Sequence, residues 1–229
     1  MFKRVFVPLD GSARAERAIP TAVQLVRASG GTLILAHVRS MDSYFYLATA
    51  PAVTQDLIEG DLKEGEKYLA RIAQLPELCD ISIEKVVMYG PVANTLLSLI
   101  ATQAADLVVL NSHGRTGFKR WALGSIAEKI AKYSPVPVFV LREGGPVPIS
   151  SHPEALRPLR ALVPLDGSLY SKAALEPAAQ LTAALATPTH GTIHLLRVVK
   201  PSSATILKQG EHYNDAWWRD HLLHRAKAH

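Results

Sequence analysis

The chain has 229 residues, of which 48% are hydrophobic and 20% are charged, and its formal net charge is +5. This length and composition suit one full α/β domain together with a smaller second part. The basic residues form no dense run, so nucleic acid is not an expected partner. No apolar stretch approaches the roughly 18 residues of a membrane span. The single cysteine, Cys79, excludes an internal disulfide and favours a reducing, cytoplasmic location.

The first predicted elements are a short strand and a helix joined by a tight turn. Residues 5–9 are apolar and brief, which is typical of a buried strand. The turn Asp-Gly-Ser at 10–12 follows, and Ser12 is a suitable N-cap for the next helix. Apolar residues at helical spacing over 18–26 predict that helix, and Pro20 inside the pattern predicts a kink.

A second strand and a long helix come next. A pair of glycines ends the first helix, and residues 32–38 form an apolar strand. Residues 39–52 are irregular and aromatic, and either fold over a site as a loop or begin the next helix. That helix, with a charged and solvated face, runs from about residue 54 to residue 73. Residues 81–87 alternate between apolar and polar types, as a strand near a sheet edge does.

The remaining elements complete a repeating β–α order. We predict a helix at 93–104, a buried strand at 105–110, a helix at 126–133 and a last strand at 136–141, whose prolines suit an edge or strand-start position. Strands and helices that alternate with short connections predict a parallel sheet with helices on both faces. Residues 1–142 are therefore expected to form a five-stranded parallel, doubly wound (Rossmann-like) sheet of the α/β class, with ligands bound where the strand ends converge.

The stretch 110–126 has the features of an anion site. It follows a buried strand, contains Gly114 and Gly124, and leads into a helical pattern that Ser125 begins. Free backbone N–H groups and the positive end of the helix dipole attract phosphate at such a helix N-terminus. Ser125 can either cap the helix or donate its hydroxyl to a phosphate oxygen.

Gly114, nine further residues and then Gly124-Ser125 resemble the ATP-binding signature of the universal stress protein family. In the full signature a first Gly precedes Gly114 by three positions, and Asn111 occupies that position here. Asn is the residue next best suited to a positive φ. We therefore expect the turn to survive, without the close backbone approach that glycine allows. The resemblance covers residues 1–142.

The resemblance implies a set of residues that contact the nucleotide. It places Asp10 near the ribose or the adenine edge, where a carboxylate at the end of a strand can accept hydrogen bonds from ribose hydroxyls. The alternative role of Asp10 is to cap the helix that follows. Pro8 and Val38 align with positions that line the adenine pocket in the family. The alternative is that they are ordinary core residues. The other implied contacts are Leu110, Asn111, His113, Gly114, Gly124, Ser125 and Ile126.

The start of the chain recurs after residue 158. Residues 143–158 are rich in Pro, Gly and Ser, which is typical of a linker. The recurring octets are 161–168, which matches 5–12, and 191–198, which matches 31–38. The chain thus resembles a tandem stress protein in which residues 159–229 are a partial second β–α–β repeat with a tail. This copy has no glycine loop, so we expect no second nucleotide there.

The resemblance implies a stress-response or regulatory protein that binds ATP or a related adenine nucleotide, with or without Mg²⁺. The alternatives are an interaction module that has lost nucleotide binding through Asn111, and a slow ATP-hydrolysing enzyme. The chain has no P-loop ending and no Gly-x-Ser-x-Gly elbow, and no metal site is expected. The expected partners are the nucleotide, an unknown protein, and a second copy of the chain that pairs through the strand at 136–141.

Overall fold

The computed structural model describes residues 1–40, 51–112, 123–142, 158–186 and 190–198. The chain divides into two compact units, Met1–Arg157 and Pro158–His229.

The first unit alternates strands and helices. Its strands are β1 (Arg4–Leu9), β2 (Thr32–Arg39), β3 (Ser82–Tyr89), β4 (Leu107–Asn111) and β5 (Val138–Leu141). Its helices are α1 (Ala13–Glu16), α2 (Ala18–Ser29), α3 (Pro51–Ala73), α4 (Val92–Thr102) and α5 (Ser125–Tyr133), and a short 3₁₀ turn lies at Pro76–Leu78. All strand pairs are parallel, in the order β3-β2-β1-β4-β5. This order confirms the doubly wound α/β fold.

The core lies on both faces of the central strands. Phe6 of β1, Ile34 of β2 and Val108 of β4 are fully buried in one cluster with residues of α4 and α5. On the other face α2 and α3 pack against β1, β2 and β3. The outer strands β3 and β5 are only half-buried, as the alternating pattern of residues 81–87 predicts for an edge.

Two helix boundaries differ from their predictions. The helical path is interrupted at Arg17, which separates α1 from α2, and Pro20 lies in the first turn of α2. A proline ring clashes with the carbonyl four residues earlier, which here belongs to Glu16, so the chain leaves the helix before the proline. The long helix begins at Pro51, three residues before the predicted start, and residues 41–50 lie outside the described part.

The amino ends of the strands are joined by a polar network. The Arg4 guanidinium donates to both carboxylate oxygens of Glu84, at 2.9 and 2.6 Å, and to the Gln103 carbonyl at 2.8 Å. The Asp106 carboxylate accepts the backbone N–H groups of Lys3 and Arg4. The Arg4 guanidinium lowers the pKa of the Glu84 carboxyl, and Glu84 raises the pKa of Arg4. The network ties β1 to β3 and β4.

The described part of the second unit forms a β–α–β motif. Its elements are β6 (Arg160–Leu165), α6 (Leu169–Lys172), α7 (Leu175–Ala186) and β7 (Thr192–Arg197). The two strands pair in parallel, and Arg160 lies opposite Thr192 just as Arg4 lies opposite Thr32. Pro177 occupies the third position of α7, as Pro20 does in α2. The described part of this unit therefore repeats the local geometry of β1, α1, α2 and β2.

Candidate functional site

The site lies at the carboxyl end of the sheet, between β1 and β4. These strands are neighbours in the sheet, but β1 leads on to β2 on one side and β4 leads on to β5 on the other. The connections therefore diverge and leave a crevice above the strand ends. In open α/β sheets this switch point is the usual ligand position.

A pocket occupies this crevice, and its wall contains eight of the ten residues that the sequence predicted. These are Pro8, Asp10, Val38, Leu110, Asn111, Gly124, Ser125 and Ile126. His113 and Gly114 lie outside the described residues. The structure thus brings together residues from β1, β2, β4 and the start of α5 that are far apart in the chain.

Sequence reasoning missed seven residues of the wall, namely Leu9, Ala15, Val92, Leu96, Ser112, Ala127 and Ile130. Most of them are apolar, and those on α4 and α5 recur at spacings of three and four residues. The same periodicity marks a helix face in any protein core, so it did not distinguish the pocket from the interior. Ser112 directly follows β4, and its position after a buried strand was the one available signal.

Asp10 supports the turn that follows β1. Its Oδ1 accepts the Ser12 backbone N–H at 3.0 Å and the Ser12 hydroxyl at 2.6 Å. The Ser12 Oγ in turn accepts the Ala15 N–H at 3.2 Å, so Ser12 is the N-cap of α1, as predicted. Gly11 between them has φ +82°, a conformation that strongly favours glycine. Asp10 therefore supports the N-cap through Ser12 and does not itself cap the helix, and it also lines the pocket.

Asn111 differs from its prediction. It is the last residue of β4, pairs with Leu141 of β5, and is only 9% exposed. Among the described residues Ala104 alone combines a side chain with a positive φ, so the left-handed turn expected at Asn111 is wrong. Pairing with β5 keeps the backbone extended. The side chain instead makes hydrogen bonds, with Nδ2 donating to the Arg14 carbonyl at 2.7 Å and Oδ1 accepting the Ser112 N–H at 2.9 Å.

The start of α5 offers backbone donors to the pocket. Gly124 is the N-cap and has no side chain to accept a hydrogen bond, so of the two possible roles of Ser125 the structure does not show helix capping. Ser125 is instead the first residue of the helix and is exposed. The Gly124 N–H donates to the Ser112 carbonyl at 2.8 Å, which ties the helix start to the end of β4. Residues 124–127 all line the pocket, so the positive end of the helix dipole faces it.

A buried polar group supports the pocket from the opposite face of β2. The His37 side chain is 5% exposed, and its Nδ1–H donates to the Leu9 carbonyl at 2.8 Å. Its ring lies 5.2 Å from that of Tyr68, whose hydroxyl donates to the Glu16 carboxylate at 2.9 Å. Burial, and then this hydrogen bond, raise the pKa of Tyr68 well above its usual range. Tyr68 therefore stays neutral and holds α1.

The described part of the chain has two further properties. No three His, Cys, Asp or Glu side chains come together there as metal ligands. None of its helices combines the length and the apolar character that crossing a membrane requires.

The fold and the crevice define a doubly wound α/β protein, and the described wall of its candidate pocket combines apolar side chains, one carboxylate and a helix N-terminus that no described side chain caps. A comparison with protein families is consistent with this class. The model of the universal stress protein family matches residues 1–142. This match spans more than half of the chain, and the chain belongs to that family.

Individual relatives show how far the likeness extends. Universal stress protein MJ0531 of Methanocaldococcus jannaschii is 26% identical over 144 residues, which cover 62% of this chain and 84% of that protein. A solved universal stress protein of Archaeoglobus fulgidus has a TM-score of 0.62 at 21% identity, and the match covers 89% of this chain and 70% of that one. Its match therefore continues beyond the residues of the family model.

Two solved relatives contain adenine nucleotides. One is a universal stress protein in complex with cAMP, with a TM-score of 0.43, 23% identity, and coverage of 62% of this chain and 97% of that one. The other, from Arabidopsis thaliana with AMP bound, has a TM-score of 0.44, 16% identity, and coverage of 61% and 91%. These similarities are too low to transfer a ligand to this chain.

Proposed function

We propose that the first unit binds ATP or a related adenine nucleotide in the crevice between β1 and β4, and that the protein acts as a cytoplasmic stress-response or regulatory module. The observation that carries the proposal is the composition of the pocket. An apolar wall, one carboxylate and a helix N-terminus converge there from four elements. Each of these features suits a different part of a nucleotide.

The apolar residues suit the base. Pro8, Val38 and Leu110 stand at the ends of the three central strands, and Val92 and Leu96 of α4 also line the pocket. A flat aromatic ring buried among such side chains gains from leaving water. Asp10 stands at the rim of this wall, where its carboxylate is suited to accept hydrogen bonds from ribose hydroxyls.

The start of α5 suits the phosphates. Among the described residues no side chain caps its first-turn N–H groups, and the helix dipole favours an anion at this end. The exposed Ser125 hydroxyl adds a further donor. Mg²⁺, where present, would accompany the phosphates, because the described residues hold no metal cluster of their own.

A second candidate is an interaction module without a nucleotide. The observation that favours it is Asn111, whose side chain lines the crevice where the family signature has glycine. A slow ATP hydrolase is less well supported. Asp10 is the one carboxylate on the described wall, and its Oδ1 is already engaged with Ser12.

Isothermal titration with ATP, with and without Mg²⁺, tests the proposal. We expect one nucleotide per chain and little or no binding in Gly124→Val. Gly124 has φ −62° and ψ 149°, which any residue adopts, so valine is tolerated by the backbone and acts by filling the pocket. Ser134→Ala, near the far end of α5, serves as the matched control. Unchanged affinity in Gly124→Val would remove the crevice as the binding site.

A further inference from the structure

The short helix α1 forms part of the pocket wall but cannot be stable by itself. It contains four residues, Ala13–Glu16, and Ala15 lines the pocket. A helix of one turn has too few internal hydrogen bonds to offset the cost of nucleation. The position of this wall therefore depends on hydrogen bonds from neighbouring elements.

Three such contacts between described residues hold α1. At its start, Asp10 and Ser12 form the cap. At its end, the Glu16 carboxylate accepts the Tyr68 hydroxyl of α3. Between them, the Arg14 carbonyl accepts the amide N–H of Asn111 at 2.7 Å. The last contact differs from the others because Asn111 belongs to β4, on the opposite side of the crevice. It joins the two halves of the pocket directly.

We propose that Asn111 is a positioning residue, which clamps α1 across the crevice so that the pocket is formed before a ligand enters. This inference rests on the proposed nucleotide site. Both ends of the Asn111 amide are used, since Oδ1 accepts the Ser112 N–H while Nδ2 reaches the Arg14 carbonyl. A wall that is already ordered loses less freedom on binding, which strengthens affinity without a new contact to the ligand.

The second unit supplies an internal comparison. Helix α6 has the same cap, in which the Ser168 Oγ accepts the Ser171 N–H at 3.1 Å and Asp166 accepts the Ser168 N–H at 2.8 Å. Tyr170 occupies the position in α6 that corresponds to Arg14 in α1. In the described part of the chain Tyr170 accepts only the Ala173 N–H, at 3.2 Å. Helix α6 therefore represents the same turn without a clamp.

Hydrogen–deuterium exchange of the full, nucleotide-free chain tests the clamp. In wild type we expect slower exchange for residues 13–17 than for residues 169–173. Asn111→Asp keeps the Oδ1 acceptor but places an oxygen opposite the Arg14 carbonyl. Asn111→Ala removes the amide without adding charge. Both variants should bring exchange of residues 13–17 close to that of 169–173, while the peptides of β1 and β2 keep their protection.

Titration with ATP on the same variants tests the positioning role. Loss of one hydrogen bond that orders the wall predicts affinity lower by about fivefold to tenfold in Asn111→Ala. Ala101→Gly, at an exposed position in the last turn of α4, is the control, since it weakens a helix by up to about 1 kcal/mol and leaves α1 untouched. Its ATP affinity and its exchange at residues 13–17 should match those of wild type.

Unchanged exchange at residues 13–17 in both Asn111 variants would overturn the clamp. Faster exchange with equal or tighter ATP binding would overturn the positioning role. A wild-type chain that binds no adenine nucleotide would overturn the proposed function and the positioning role with it. The exchange measurement needs no nucleotide, so it separates that failure from a missing clamp.

Discussion

The two units begin with the same β–α–β motif, yet their strands end up in opposite environments. Phe6 and Ala36 of the first unit are 0% exposed, whereas the residues at the matching positions, Leu162 and Leu196, are 63% and 44% exposed. Strand register, serine caps and the position of the helix proline are the same in both. Local sequence signals are therefore sufficient to form the motif, but not to bury it.

The difference comes from elements that follow in the chain. In the first unit α4 and α5 cover the face that contains Phe6, and β4 adds a strand beside β1. In the described part of the second unit α7 packs against β6 and β7, where it buries Val163, and every residue of β7 stays exposed. Two strands with one covering helix bury little apolar surface, which is at the margin of independent stability.

The largest expected effect is on stability, at a matched pair of positions. Phe6→Ala removes a fully buried ring and should lower the free energy of unfolding of the first unit by about 3–5 kcal/mol. Leu162→Ala should change it by no more than about 0.5 kcal/mol, because that side chain is mainly in water. Urea unfolding followed by circular dichroism measures both. A large loss in Leu162→Ala would show that the exposed face is covered in solution.

The second effect concerns nucleotide binding and the two equivalent carboxylates, Asp10 and Asp166. The Ser168 hydroxyl and backbone N–H lower the pKa of Asp166 to about 2, so Asp166 supports its turn as Asp10 does. If only the first copy binds ATP, Asp10→Ala should weaken binding by about tenfold. Asp166→Ala should leave the affinity and the stoichiometry of one unchanged. Equal losses in titrations of both variants would show that the second copy takes part.

The third effect concerns β5, which is an edge of the first sheet as far as the described residues show. Strand β5 is last in the sheet order, and unpaired edges favour association with a second copy. The carbonyls of Pro137 and Leu141 accept the N–H groups of Val108 and Ser112. Because backbone groups alternate in direction along a strand, the N–H of Val140 points away from β4. Val140→Pro removes that donor and should convert a dimer into a monomer in light scattering after size exclusion. A monomeric wild type, or a dimeric variant, would contradict pairing through β5.

The smallest effect distinguishes Arg4 from its repeat, Arg160. Arg4→Ala should cost about 0–1 kcal/mol, because the pair with Glu84 is partly exposed and screened by solvent. Arg4 lowers the folded-state pKa of Glu84 below its usual value of 4.5, so this stabilisation is present above that pH and is lost as the pH falls further. Thermal unfolding across pH 3–7 should show the melting temperatures of wild type and Arg4→Ala becoming equal at the acidic end. Arg160→Ala should have no such pH-dependent effect.

The sequence predicted the order of the elements well, because the apolar runs that form β1, β2 and β4 are short, strongly apolar and separated by clear turn signals. The family resemblance implied Asp10, Gly124, Ser125 and Ile126 as site residues, and the structure places all four on one pocket wall. The sequence-based prediction failed where contacts between distant parts of the chain determine the local conformation. Pairing with Leu141 keeps Asn111 extended, and no local signal shows whether Gly124 or Ser125 is the N-cap.

The hydrogen bond between the Gly124 N–H and the Ser112 carbonyl has a consequence for how this family can diversify. It fixes the two ends of the intervening segment at one point, where the end of β4 meets the start of α5. Closing a longer segment between fixed ends is inexpensive, since doubling its length adds only about 0.6 kcal/mol of loop entropy. Insertions or exchanges at this point can therefore be accommodated while the sheet beneath keeps its architecture.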